Sequence, residues 1–310
     1  MSDFPSAVLP DPSVIGGVPQ PPFARLPAPL SLFEIRARRL AALTEDSMLA
    51  AYLNFLAGIA SAQHAIQHDE AAPLPTPEGP DAETLERARA YGMPPLDRTR
   101  FTQDPAFEAT LDRLLAKLEG LDKPAPAAAA LARVQAADPA GRDALVRNVL
   151  ADSIPMEALA EHVYVAAALQ VHFARLAARL DEAGLVEVGQ GVCPTCGGPP
   201  TASVVVDWPQ IAGARYCACS LCGTWWNHVR VRCVLCGSTK GIGLQEVEGG
   251  SGAVKAETCD SCHGYVKVMY QSKDPLVEPL ADDVASLALD LLMKNGPYRR
   301  GAFNPFLLGY

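Results

Sequence analysis

The chain has 310 residues, 49% of them hydrophobic and 20% charged, with a formal net charge of −9. That length accommodates two domains and a sizeable core, and the apolar share excludes a disordered tail. The acidic balance argues against a general nucleic-acid partner, because phosphate binding needs a basic face.

Residues 1–30 predict a proline-rich, irregular arm, broken by Pro5, Pro10, Pro12, Pro19, Pro21, Pro22, Pro27 and Pro29. It lacks the unbroken apolar run of a signal peptide. Arg38-Arg39 has the look of a twin-arginine signal, but Glu45 and Asp46 follow too closely for an apolar export segment. No stretch of 18 apolar residues occurs elsewhere, so no membrane insertion is expected.

Residues 31–188 predict a helical domain. Leu40 and Leu43, then Met48, Leu49, Tyr52, Leu53, Leu56 and Ile59, recur at helical spacing. Residues 71–80, with four prolines and a glycine, form a connector. A helix over about 105–119 places Leu111, Leu114, Leu115 and Leu118 on one face. The alanine-rich segment 127–150 is helical with a break near Asp138-Pro139. The longest helix is expected over 155–183, stopped by Gly184, with His162 and His172 packed or capping within it.

The composition then changes. All nine cysteines lie between Cys193 and Cys262. Such clustering in an acidic chain without a secretory signal reads as metal binding in a reducing compartment, not as a disulfide framework. Eight of them form Cys-x-x-Cys pairs: Cys193/Cys196, Cys219/Cys222, Cys233/Cys236 and Cys259/Cys262. The first two pairs recur as the last two at an offset of 40 residues, which indicates two copies of one unit. Two intervening residues let a tight turn aim both sulfurs at one ion, and two such knuckles complete a tetrahedron. The turn favours a residue tolerant of positive φ after the second cysteine. Gly197, Gly223 and Gly237 stand there, and His263 takes the fourth place.

Two β modules are therefore expected, at 189–231 and 232–272. Cys193, Cys196, Cys219 and Cys222 would hold one ion, and Cys233, Cys236, Cys259 and Cys262 a second. The metal is iron or zinc. A cross-braced pairing, first pair with third and second with fourth, stays open. Cys217 falls outside the repeat, its counterpart being Glu257. It reads as a free thiol or as a redox-active or exchangeable neighbour of the first metal, and His263 as a residue lying behind the second. Metal is expected to hold the β modules together, while the helical domain stands without it. Segment 191–272 has six basic and five acidic residues. With two thiolate-bound ions it becomes acidic, which disfavours phosphate.

Trp225 and Trp226 alternate on a strand, so one faces a core and the other is free to meet the helical domain or a partner. With Arg230 and Arg232 they are candidate partner-binding residues. Residues 273–310 predict a short helical tail, with Val284, Leu287, Ala288 and Leu291 on one stripe. The fold class is thus α+β: an all-helical N-terminal domain, two tandem rubredoxin-like or zinc-ribbon modules, and the tail. No phosphate loop, nucleophile elbow or paired-histidine zinc motif appears, so no enzyme activity is expected.

Several segments resemble the FdhE family of formate dehydrogenase accessory proteins. They are Cys193-Pro-Thr-Cys-Gly, Cys219-Ser-Leu-Cys, Val229-Arg-Val-Arg-Cys233, Cys259-Asp-Ser-Cys, the run from Lys273 to Asp290, and Asn304-Pro-Phe-Leu307. Residues 49–57 fit more loosely. The resemblance implies a cytoplasmic maturation factor required for active respiratory formate dehydrogenase. It would bind the catalytic subunit of that molybdenum- or tungsten-containing enzyme before export. It also implies rubredoxin-like modules associated with iron. Trp225-Trp226-Asn227 departs from the acidic residue, Trp and His expected there, which puts any role of that His in doubt. A rubredoxin-like electron carrier and a nucleic-acid-binding zinc ribbon are the rival readings. The oligomeric state is open, a homodimer included.

Overall fold

The computed structural model describes residues 20–45 and 47–307. The arm's first 19 residues, Asp46 and residues 308–310 lie outside that description.

Seven helices form the N-terminal part: α1 (Pro29–Ala42), α2 (Ala50–Gln67), α3 (Ala82–Tyr91), α4 (Pro105–Glu119), α5 (Ala125–Ala136), α6 (Pro139–Leu150) and α7 (Leu159–Ala177). Local chemistry sets several starts. Asp81, Asp104 and Asp138 each accept a backbone N–H two or three residues into the following helix, satisfying a donor that has no partner within the helix. Asp138-Pro139 accordingly divides the alanine-rich segment into α5 and α6. Helix α7 is buried along nearly its whole length, its Glu161, His162, Gln170 and His172 included; α2, α4, α5 and α6 surround it. It ends at Ala177, short of the expected stop. Gly184 instead closes a 3-10 turn over Glu182–Gly184, capped by Asp181. Helix α3 was not anticipated; only one of its residues, Ala88, is buried, so it carries little apolar periodicity.

The strands are β1 (Ala24–Arg25), β2 (Pro200–Val205), β3 (Arg215–Cys219), β4 (Trp225–Asn227), β5 (Ile242–Gln245), β6 (Val254–Cys259), β7 (Gly264–Tyr270) and β8 (Arg299–Arg300). They make one sheet in the order β1-β4-β3-β2-β7-β6-β5, with β8 alongside β7. Each module is a three-stranded antiparallel meander. The two join where β2 runs parallel to β7, Ser203 opposite Val268 and Val205 opposite Tyr270. The sheet therefore runs continuously across both copies of the repeat.

Part of the proline-rich arm is ordered strand: β1 pairs with β4, Ala24 opposite Trp226 and Arg25 opposite Trp225. The tail divides at Ser286 into α8 (Pro279–Ala285) and α9 (Leu287–Met293). The Ser286 hydroxyl donates to Asp282 O at 2.6 Å, a side-chain bond that competes with helix continuation. The break rotates the expected stripe. Val284 and Leu287 stay buried, but Leu291 is exposed, and Leu289, Asp290 and Met293 face inward instead.

Charged pairs seal the seam between tail, helices and sheet. Arg39, half of the pair that looked like a targeting signal, donates to Asp282 and Asp274, while Arg36 pairs with Glu278 at 3.1 Å. Lys267, fully buried on β7, lies 2.5 Å from Asp290 and 3.4 Å from Asp283, and Arg300 bridges the same two carboxylates. Buried charges need such pairing, since an unpaired one is costly.

Candidate metal centres

The sulfurs group by repeat, not across it. Cys193, Cys196, Cys219 and Cys222 form one cluster, and Cys233, Cys236, Cys259 and Cys262 the other, with all sulfurs of a cluster within 4.8 Å of one another. Near neighbours are 3.5 and 3.6 Å apart in the first cluster and 3.7 and 3.9 Å in the second. A tetrahedron with metal–sulfur bonds near 2.3 Å has edges of about 3.8 Å. Both clusters fit a four-thiolate ion.

The four knuckles share one backbone construction. The residue after each second cysteine donates its N–H to the carbonyl of the first: Gly197 to Cys193, Gly223 to Cys219, Gly237 to Cys233 and His263 to Cys259, at 2.8–3.2 Å. All four are left-handed, with φ of 77°, 73° and 75° at the glycines and 53° at His263. His263 thus serves the turn with its backbone, and its carbonyl accepts the Arg299 N–H at 2.7 Å.

The surroundings differ sharply. The first cluster is fully buried, within the same hydrophobic core as α1, α2, α4 and α7. Its first knuckle is held by the connector after α3: Leu96 N–H donates to Thr195 O and Arg98 N–H to Cys196 O. Its second is backed by Leu32 and Pro27, so tightly that a Cβ on Gly223 would meet Leu32 at 2.9 Å. The Thr224 hydroxyl accepts from the Cys222 thiol at 3.2 Å and donates to the Thr195 hydroxyl at 3.0 Å. In the second cluster Cys236 and Cys262 are exposed. The ligands of the first site are thus part of the helical core rather than of a separate β module.

One thiol is lowered at the same place in each copy. Hydrogen bonds from Cys193, Cys196 and Cys222 hold the Cys219 thiol well below its usual range. Burial opposes ionisation of Cys259, but backbone N–H groups of Cys262 and Ser261 and its fellow thiols bring it down to about 7. Cys217 joins neither cluster. It is buried, and burial pushes its thiol up to about 12, the behaviour of an inert core thiol.

Of the candidate partner residues, Trp226 is only 5% exposed and belongs to the core. Trp225 stacks on Trp208 at 6.1 Å, with the Arg25 guanidinium over Trp208. Strand alternation divides the two indoles as expected, but β1 covers their edge. Arg232 is occupied by its bond to Gly237 O. Arg230 remains exposed.

Family profiles cover almost all of this architecture: FdhE, N-terminal, over residues 21–190; FdhE, central domain, over 192–230; and FdhE, C-terminal domain, over 231–307. The chain belongs to the FdhE family. An FdhE homolog of Rhizobium meliloti is 52% identical over 307 residues, spanning 98% of this chain and 99% of that protein. One from Stutzerimonas stutzeri is 36% identical over 292 residues and covers 93% of each. The crystal structure of the FdhE protein from Pseudomonas aeruginosa superposes with a TM-score of 0.81 at 33% identity, covering 93% of this chain and 99% of that one. The FdhE central domain thus coincides with the buried cluster, and the FdhE C-terminal domain contains the exposed one. Among the described residues no helix is long and apolar enough to cross a membrane.

Proposed function

We propose that this protein is a non-catalytic accessory factor for formate dehydrogenase, acting in the cytoplasm on the enzyme's catalytic subunit. Each four-cysteine cluster holds one metal ion, iron or zinc, through the eight cysteines of the repeat. Family membership supports the accessory role. The observation that carries the non-catalytic reading is the closure of both clusters: four sulfurs at tetrahedral spacing leave no open coordination position for substrate or water. The test is a strain lacking the protein, which is expected to lose respiratory formate dehydrogenase activity, while the purified protein oxidises no formate and retains the catalytic subunit in a pull-down. Normal dehydrogenase activity in that strain removes the proposal.

The exposed sulfurs of Cys236 and Cys262 favour a second reading, electron transfer through the second site. Four thiolates suit iron as well as zinc. Metal analysis and the visible spectrum of anaerobically purified protein decide it: reversible bleaching by reductant is expected for an iron carrier, and a colourless zinc protein excludes it.

A further inference from the structure

The tandem repeat brings four outer strand edges, two per module, and three are covered by this chain. Strand β1 lies along β4, and β2 and β7 cover each other, with β8 completing β7. Strand β5 ends the order and, among the described residues, pairs only with β6. Its structural counterpart β2 receives a parallel strand on the corresponding edge. Among the described residues this contact is made once, and the same place in the second copy is bare.

The bare edge is short, but neither proline nor charge blunts it. No proline or charged residue lies within Ile242–Gln245, and the nearest charge beyond it, Glu246, is paired with Lys255. The Asp260 N–H donates to Gly241 O. By the alternation of an antiparallel ladder, the backbone groups pointing away from β6 then belong to Ile242 and Leu244. Their side chains line a groove of about 610 Å³ shared with Val231, Tyr270 and Arg230. Leu244 is 52% and Val231 69% exposed. Arg230 has no ion-pair partner among the described residues.

We propose that the β5 edge seats an extended segment of the dehydrogenase catalytic subunit, added parallel as the next strand; this rests on the accessory reading above. The segment carries apolar side chains at alternate positions, as Val268 and Tyr270 do beside Ser203 and Val205, and a carboxylate within reach of Arg230. Main-chain bonds supply affinity and the groove supplies selectivity. A second copy does not supply the strand in this way. Its own β7 is covered on both sides, and two β5 edges related by a two-fold axis meet antiparallel.

The test is hydrogen exchange on the full-length, metal-retaining protein, alone and with purified catalytic subunit. Binding is expected to slow exchange at the Ile242 and Leu244 amides. Leu244→Pro removes one outward N–H without touching the β6 ladder, and is expected to weaken binding about tenfold, one backbone hydrogen bond. Its metal content and melting temperature should stay unchanged. Arg230→Glu, which leaves the ladder intact, is expected to weaken binding too and stands in if the proline variant unfolds. Wild-type binding with Ile242 and Leu244 still exchanging freely overturns the edge and leaves the accessory role standing. Failure of the wild-type protein to bind the subunit overturns both. Protection that grows with concentration of this chain alone overturns the proposal by making a second copy the occupant.

Discussion

Arg215 of the first module donates two hydrogen bonds, at 2.8 and 2.9 Å, to the two carboxylate oxygens of Glu257 in the second, and both residues are buried. A third bond, to the Ser203 hydroxyl at 3.0 Å, fixes the guanidinium. Glu257 stands 40 residues after Cys217, the position at which the repeat is broken. The departure from symmetry supplies the ionic lock between the copies. Glu257→Gln should destabilise the protein by roughly 3–5 kcal/mol, since it leaves a buried cation without its counter-charge. Arg215→Met combined with Glu257→Leu should cost much less than the two single changes added together. Denaturant unfolding of the four proteins checks this, and additive losses would mean that the pair is not a coupled unit.

Metal loss should occur in two stages. Thiol-modifying reagents or chelators should release one ion quickly, through the exposed Cys236 and Cys262, and the other only as the protein unfolds. Cys236→Ser is expected to leave helical circular dichroism intact, whereas Cys193→Ser should lower it, because Cys193 lies in the helical core. Release of both ions at one rate would contradict the difference in burial.

His263 holds a left-handed conformation that glycine adopts at no steric cost. His263→Gly should therefore be neutral or stabilising by up to about 1 kcal/mol, with metal content preserved. Gly223→Ala should destabilise clearly, since its Cβ meets Leu32 at 2.9 Å at a φ of 73°. Melting temperatures of the two variants should shift in opposite directions or, for the first, not at all.

His172 on α7 is buried among Phe101, Phe107 and Phe173. Burial brings its pKa down to about 4, against the pull of Asp104 in the other direction. The unfolded chain, with a value near 6.5, binds the proton more readily. Stability from this residue is thus complete above about pH 6.5 and is lost as pH falls towards 4, by on the order of 2–3 kcal/mol. His172→Leu should flatten the stability profile in that window without lowering stability at neutral pH. An unchanged slope would place the acid sensitivity elsewhere.

The four-cysteine clusters, the 40-residue offset and the grouping of sulfurs by repeat were legible in the sequence because ligand spacing is local. A Cys-x-x-Cys turn carries its geometry within five residues, glycine included. The helical character of residues 31–67 and 105–177 was equally open to reading, through apolar periodicity. Tertiary structure alone decided which cluster is buried, that Arg39 pairs with Asp282 in a seam, and that Trp226 is core. It also decided that the arm supplies β1, that β2 meets β7, and that β5 is bare among the described residues. Each of these depends on pairs of residues far apart in the chain. Local propensity and spacing favour none of the alternatives, so the choice falls to packing and to the cost of leaving a charge or a strand edge unpaired.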